Sequence, residues 1–227
     1  INSGADIIDV GGESTRPGSV QPTETEELKR VIPVIRALSA EGITVSIDTR
    51  RATVMERAIE SGAKIINDIS ALSHDKRSIE VAVSTGAKVI LMHMQGTPKS
   101  MQTNPSYLYP SLDIFDFLKQ RIVSCLDAGI RQDCLLADPG IGFGKTKAHN
   151  IQILKDVSLF HSLGCPLLIG ISRKSFIGDM LGNLEVSDRM PGSIAGALYA
   201  MSQGVHIVRV HDVAETNQSL KVWQAIF

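Results

Sequence analysis

Leu167-Leu168-Ile169-Gly170-Ile171 is a short apolar run that passes directly into Ser172-Arg173-Lys174. Uninterrupted apolar runs of this length, separated by helical patterns, are typical of strands buried on both faces of a parallel sheet. When such a sheet closes into a barrel, residues at the carboxyl ends of its strands form one active site. Other apolar runs end in the same way, in polar or charged residues: residues 7–10 before Gly11-Gly12-Glu13, residues 43–47 before Asp48, Ile65-Ile66 before Asn67-Asp68, residues 135–137 before Asp138, and Ile207-Val208 before Arg209-Val210-His211.

The alternation of elements along the chain predicts the fold class. Seven predicted strands are each followed by a predicted helix; the helices include residues 112–128 and 150–162, and Thr23 is the predicted cap of the first one. This pattern is one βα unit short of a closed barrel. We therefore predict an α/β protein, a (β/α)8 TIM barrel whose first βα unit is missing, with residues 1–227 as one incomplete domain. A doubly wound open sheet is the alternative, but it would gather functional residues near one switch point.

The composition of the chain excludes several classes of protein. A hydrophobic content of 43% is enough to build a core, and a net charge of −1 gives no electrostatic footprint for nucleic acid or an anionic membrane. No apolar run reaches the length that spans a bilayer. Cys125, Cys134 and Cys165 have no paired spacing, which favours reduced thiols in a cytoplasmic protein. The histidines show no metal-ligand spacing, so a zinc site is not predicted.

Asp48, Asn67 and Asp138 are polar residues that directly follow apolar strands. A buried carboxylate is costly unless it is paired or hydrogen-bonded, so each aspartate should have a dedicated donor. The alternative for Asp48 is a helix cap, and for Asn67 a turn or a cap. Asp138 is less easily explained as a cap because Pro139-Gly140 follows it. Considered together, these residues indicate a polar pocket.

Two glycine-rich segments lie among the predicted strand ends. In residues 11–18 the glycines allow close backbone approach, and Thr15 and Arg16 could bind an anion; the alternative is a surface turn. Residues 140–146 invite a nucleotide-binding interpretation, which fails because Pro139 and Lys145 stand where a P-loop and a GxGxxG motif each need glycine. We interpret this turn as one that places Phe143 over a flat ligand.

Cations follow the last two predicted strands, at residues 172–175 and at Arg209 and His211. Barrels frequently bind phosphate at the loops after their last strands, which predicts an anion site here. Alternation along a strand puts Arg209 and His211 on the same side. The alternative is that these cations pair with carboxylates at the rim. His93 and His149 receive no predicted role.

Several of these stretches together resemble the motifs of one known family: residues 7–18, Asn67-Asp68-Ile69, residues 91–96, residues 138–145, residues 172–175 and residues 209–213. The family is that of the dihydropteroate synthases, and the resemblance runs in order from Ile7 to the C-terminus. It implies condensation of 6-hydroxymethyl-7,8-dihydropterin diphosphate with p-aminobenzoate, giving 7,8-dihydropteroate and pyrophosphate in folate biosynthesis. It also implies a cytoplasmic transferase, a homodimer with small-molecule substrates, Mg²⁺ as cofactor, and a target of sulfonamides.

The resemblance further implies a role for each candidate residue. The catalytic residues would be Asp48, Lys174, Arg209 and His211. The pterin would contact Asp48, Asn67, Met92, Asp138, Phe143 and Lys174, and the diphosphate would contact Thr15, Arg16, Arg209 and His211. The p-aminobenzoate would lie nearer the surface, among Thr15, Arg16, Pro17, Phe143, Lys174 and Ser175.

One feature of the family has no counterpart in this sequence. The missing first strand carries an Asn that, by resemblance, helps to bind Mg²⁺, so we predict no metal ligand in residues 1–227. We expect one more strand upstream of Ile1, and slow or no turnover by the chain as numbered. The strands at residues 7–10 and 205–210 should flank the gap without pairing.

Two other functions remain open from the sequence. A pterin-binding methyltransferase acting on methyltetrahydrofolate would share the barrel and the Asp and Asn contacts, but it would have no need of the anion sites. A non-catalytic pterin-binding paralogue would need neither catalysis nor a complete barrel. The intact cationic pair, Arg209 and His211, argues against the second alternative.

Overall fold

The computed structural model of the protein describes residues 1–14 and 20–226. Their strands are all parallel and follow one another in space in chain order. An isolated bridge between Ala137 and Leu167 joins a five-stranded sheet to a two-stranded one. The strands are β1 (Ile8–Gly11), β2 (Val45–Asp48), β3 (Ile65–Asp68), β4 (Lys88–Met92), β5 (Leu135–Asp138), β6 (Leu168–Ile169) and β7 (Ile207–Val208).

This arrangement confirms the predicted barrel with seven strands. Within the described residues β1 pairs only with β2, and β7 pairs only with β6, so the first and last strands do not pair with each other. The expected gap therefore lies between β1 and β7. The strands end within a residue or two of their predicted carboxyl ends, which is where the candidate site residues lie.

A helix follows each strand, and one connection holds two. The helices are α1 (Glu24–Ala40), α2 (Ala52–Glu60), α3 (Ser78–Thr85), α4 (Pro110–Asp127), α5 (Lys147–Lys155), α6 (Ser175–Met180), α7 (Met190–Ser202) and α8 (Val213–Ile226). Thr23 caps α1 as predicted: its hydroxyl accepts from the Glu26 amide, and the Glu26 carboxylate accepts from the Thr23 amide.

One predicted helix differs from the observed elements, and one observed helix was not predicted. The helix predicted at residues 150–162 is instead α5 followed, after Asp156, by a 3-10 helix at Val157–Leu163. The short helix α6 was not predicted, because six residues hold too few turns to show a periodic pattern. Neither difference moves a candidate site residue away from its strand end.

Both faces of β2 to β6 are largely buried, as the apolar runs predict, whereas β1 and β7, which flank the gap, are only partly buried. One side of each strand packs against the helices, where Val45 and Ile47 are fully buried. The other side faces the barrel interior, where a separate apolar layer forms the floor of the site. This floor layer consists of Ile65, Ile90, Leu136 and Leu168, with Ile7 and Ile207 packed against it.

Candidate active site

Successive residues of a strand point to opposite faces, so a residue two positions beyond the floor layer points inward again. Two positions beyond each floor residue the chain carries a polar, sulfur-containing or glycine residue. These inward residues are Asp9, Asn67, Met92, Asp138, Gly170 and Arg209. Asp48, two positions after the buried Ser46, joins them. Alternation and register thus bring most of the predicted site to the carboxyl ends of the strands.

Asp9 lies at the centre of the contacts on the gap side. Its Oδ2 accepts a hydrogen bond from Nε of Arg209 at 2.6 Å and another from Nδ2 of Asn67 at 3.2 Å. Nη2 of Arg209 also lies 3.6 Å from Oδ2 of Asp48. Strand residues about two hundred positions apart in the chain therefore share one electrostatic cluster of two carboxylates and one guanidinium.

The carboxyl group of Asp48 is hard to ionise in this cluster. Burial, reinforced by the negative charge of Asp9, raises its pKa to about 8, and the opposing charge of Arg209 offsets only part of that rise. Near neutral pH much of Asp48 is therefore protonated in the free protein. A protonated Asp48 can donate a hydrogen bond. Because it is neutral, it does not offset the attraction of Arg209 for an anion.

Asp138 and Lys174 form the charged pair on the opposite side of the pocket. Burial raises the pKa of Asp138, and the charge of Lys174 opposes that rise. Burial lowers the pKa of Lys174 to about 8, against the stabilising charge of Asp138. One Asp138 oxygen, Oδ1, accepts from the Gly140 amide at 2.7 Å, which fixes the orientation of the carboxylate.

An aromatic ring and a thioether complete this side. Nζ of Lys174 lies 4.8 Å from the centroid of the Phe143 ring and donates a hydrogen bond to the carbonyl of Ile141. Met92 is buried and pairs in register with Asp138 on the neighbouring strand. Flat apolar surface therefore borders the Asp138 carboxylate.

Arg209 and His211 both line a cavity of about 760 Å³ that also touches Asp9 and Asn67. Nδ1 of His211 lies 2.9 Å from the hydroxyl of Ser172, and the His211 amide donates to the same oxygen at 3.1 Å. The cavity extends into the gap between β1 and β7. The two predicted cations thus border one end of a space that is also lined by residues 4–8, by floor residues and by α8.

Gly170 connects the two sides of the site. A Cβ atom placed on it would lie 3.7 Å from Nζ of Lys174 and 3.8 Å from Cβ of Arg209. These are ordinary van der Waals distances, so the Lys174 and Arg209 side chains both lie beside the backbone of Gly170. Ser175, the first residue of α6, is exposed at the outer end of this side.

Three predicted site residues, Thr15, Arg16 and Pro17, lie outside the described residues. The segment before them is firmly attached: Glu13 forms a buried ion pair with Arg50 at 2.7 Å.

No cluster of three or more His, Cys, Asp or Glu residues suited to a metal ion occurs in residues 1–14 and 20–226. Within that same part of the chain, no helix is both long enough and apolar enough to cross a membrane.

Sequence reasoning missed Asp9, which was read only as part of a strand. The signal was present, because Asp9 stands two positions after Ile7, as Asn67 stands two positions after Ile65. A charged residue on the inward face of a buried strand should have been counted as a candidate.

Comparison with known proteins agrees with this geometry. Residues 1–211 match the family model described as "Pterin binding enzyme". The dihydropteroate synthase of Escherichia coli strain K12 is 47% identical over 226 residues, which cover 99% of this chain and 79% of that protein. The crystal structure of Yersinia pestis dihydropteroate synthase with a sulfonamide drug complex superposes with a TM-score of 0.96 at 46% identity, covering 99% of this chain and 82% of that one. Xanthomonas albilineans dihydropteroate synthase in complex with 7,8-dihydropteroate gives 0.89 at 40% identity, covering 99% and 80%.

The fold and the family match define the class as a pterin-binding enzyme built on a parallel α/β barrel. Within that class, the chain belongs to the dihydropteroate synthase family, whose members are transferases. The resemblance drawn from the sequence motifs is thereby confirmed.

Proposed function

We propose that this pocket binds 6-hydroxymethyl-7,8-dihydropterin diphosphate and p-aminobenzoate and joins them, with release of pyrophosphate. The observation that carries this proposal is the convergence of Asp138, Lys174 and Arg209 around one inward-facing layer. A methyltransferase or a non-catalytic paralogue would have no use for the cations that face the cavity. The relatives of this chain that bind product and sulfonamide support the synthase.

Asp138 is proposed to recognise the pterin ring. The amino-pyrimidinone edge of a pterin carries adjacent N–H donors, which a carboxylate can accept together. The Gly140 amide holds one carboxylate oxygen, so the group is already oriented before the ligand arrives. Asn67 would contact a mixed donor and acceptor edge, Lys174 would donate to the ring, and Met92 and Phe143 would cover its flat faces.

Arg209 and His211 are proposed to hold the diphosphate as it leaves. Breaking the carbon–oxygen bond leaves negative charge on the leaving diphosphate and positive charge on the pterin methylene. Arg209 would stabilise the first of these charges. The positive charge on the methylene would lower the pKa of Asp48, and the ionised Asp48 would stabilise the second. The amine nitrogen of p-aminobenzoate then attacks that carbon, and its proton is released. Thr15 and Arg16 are proposed to contact the diphosphate from its other side.

The p-aminobenzoate site is proposed to lie outside the pterin, next to Phe143, Lys174 and the exposed Ser175. Thr15, Arg16 and Pro17 would supply its remaining wall. In this position Lys174 borders both substrates, because its ammonium group reaches inward past the Phe143 ring.

Mg²⁺ is proposed as the cofactor because it commonly binds through phosphate oxygens with few protein ligands. The described residues offer no cluster that fits it, so we assign it no ligand and no step. We also propose that the protein is a cytoplasmic homodimer; sedimentation equilibrium would measure its mass directly.

Incubation with the pterin diphosphate, p-aminobenzoate and Mg²⁺, followed by detection of pyrophosphate and dihydropteroate, tests the proposed reaction. Stoichiometric formation of both products supports a synthase. Methyl transfer from methyltetrahydrofolate would favour the methyltransferase. Binding of the pterin without either product would favour the non-catalytic alternative only in a chain that also carries the expected upstream strand, since slow or no turnover is expected without it.

Replacing Lys174 with Ala should weaken the binding of both substrates, because its ammonium lies between the two proposed sites. We expect calorimetry to show a loss of roughly 1–3 kcal/mol for the pterin and a smaller loss for p-aminobenzoate. A variant that lost affinity for one substrate alone would contradict this placement of Lys174.

Anion binding should depend on pH through Asp48. As the pH rises through about 8, Asp48 loses its proton. Its negative charge then partly neutralises the positive charge of Arg209, so the affinity for sulfate should fall. Sulfate keeps its charge throughout this range. Titrations on both sides of that pH would measure the effect, and Asp48→Asn, which cannot ionise, should flatten it. An unchanged pH dependence in the Asn variant would show that another group is responsible.

A further inference from the structure

Residues 140–144, here called the glycine turn, are held by side chains from outside the turn. Four consecutive carbonyl groups each accept one such hydrogen bond. Lys174 donates to Ile141, Gln102 to Gly142 at 2.8 Å, Lys145 to Phe143 at 2.9 Å and Tyr107 to Gly144 at 2.7 Å. The fifth carbonyl, that of Gly140, accepts from the Phe143 amide within the turn, so the loop backbone is a rigid platform for the Phe143 ring.

Lys145 is the buried member of this set, with only 3% of its surface exposed. Besides the Phe143 carbonyl, its ammonium contacts Nδ1 of His93 at 3.0 Å and the His93 carbonyl at 3.3 Å. Three N–H donors therefore meet three acceptors, which is the full capacity of an ammonium group. When Lys145 is protonated, His93 accepts at Nδ1. Burial together with the charge of Lys145 lowers the pKa of His93 to about 2, and burial also lowers the pKa of Lys145.

His93 joins this contact to the end of β4. Its amide donates to the carbonyl of Asp138, and its ring packs edge-on against Phe117 with centroids 4.9 Å apart. The turn backbone also fits closely here, since a Cβ atom on Gly140 would lie 1.9 Å from the His93 carbonyl oxygen. Lys145 thus links the glycine turn to a fixed point in the barrel wall.

We propose that Lys145 is a positioning residue, which ties the glycine turn to the end of β4 and thereby holds the Phe143 ring and the Lys174 ammonium against the bound pterin. The proposal rests on the proposed function of the pocket. Lys145 touches no substrate. It acts through the Phe143 carbonyl, and the Phe143 ring in turn contacts Lys174 at 4.8 Å.

Lys145→Met keeps the length of the side chain and removes the ammonium. We expect the pterin to bind roughly tenfold more weakly, since contacts within one network couple with this magnitude. Lys147→Met is the matched control, because Lys147 lies two residues further on and is exposed at the start of α5. The control should bind the pterin like the parent chain.

A double-mutant cycle separates positioning from a general loss of stability. In the Phe143→Ala background Lys145→Met should cause no further loss of pterin affinity, because the ring that it positions is gone. Its effect on thermal stability should persist in that background. An equal, additive loss of affinity in both backgrounds would overturn the proposal. If Phe143→Ala alone left pterin affinity unchanged, the proposed site itself would be wrong.

If Lys145→Met fails to fold, Gln102→Ala tests whether pterin binding needs the glycine turn to be held from outside. Gln102 is exposed, so its loss should leave the fold intact while it releases the Gly142 carbonyl. A weaker pterin affinity that disappears in the Phe143→Ala background supports a positioned turn. Unchanged affinity in the folded Gln102 variant would overturn the proposal, because the turn would then need no external support.

Discussion

Asp138→Asn is expected to abolish detectable pterin binding. The Gly140 amide already donates to one oxygen of Asp138, so the asparagine would keep its own oxygen there and turn its NH₂ group toward the pocket. Donors of the pterin would then face a donor. The lost charged hydrogen bond and the unsatisfied partner should together cost roughly 2–4 kcal/mol, measured by calorimetry with the pterin diphosphate.

The matched control for this substitution is Asp127→Asn, at the exposed last residue of α4. It makes the same chemical change at a site that faces solvent, and its pterin affinity should equal that of the parent chain. Unchanged affinity in Asp138→Asn would remove Asp138 from the pterin pocket.

Arg209→Met is expected to remove binding of pyrophosphate. The guanidinium pairs with Asp9, so its loss deletes the cation and leaves the Asp9 carboxylate facing the ligand without its charged partner. Removing one partner of such a cluster should weaken anion affinity by roughly 2 kcal/mol or more. Isothermal titration with pyrophosphate measures this, with Arg36→Met on the exposed face of α1 as the control.

A second substitution identifies the cause of that loss. If the Asp9 carboxylate left by this change repels the anion, adding Asp9→Asn to Arg209→Met should recover part of the affinity. Full affinity in Arg209→Met would show that the diphosphate binds elsewhere.

The fold could be predicted because its signals are local. Buried parallel strands are short apolar runs, and the site residue directly follows its run in the sequence, as with Asp48 and Asp138. The same rule located Asn67, Arg209 and His211 at the barrel mouth. Boundaries moved by a residue or two, since a strand ends where its hydrogen bonds end and not where its apolar residues end.

The rest of the site depends on contacts between distant parts of the chain. Nothing in the sequence near Asp9 shows that Arg209 will donate to it across the gap between β1 and β7. Lys145 served only to reject a nucleotide-binding motif, because its partner His93 lies 52 positions away. Gln102 and Tyr107 likewise hold residues 140–144 only in the folded protein, where the loop after β4 lies over the turn after β5.

One pocket is proposed to recognise both the pterin ring and the diphosphate, and a crystal structure of the chain with 6-hydroxymethyl-7,8-dihydropterin diphosphate would show whether it does. We expect the ring edge on Asp138, the ring faces between Met92 and Phe143, and the diphosphate within hydrogen-bond distance of both Arg209 and His211. A ligand bound with its ring away from Asp138, or with Arg209 and His211 turned away from its phosphates, would show that these residues do not form one substrate site.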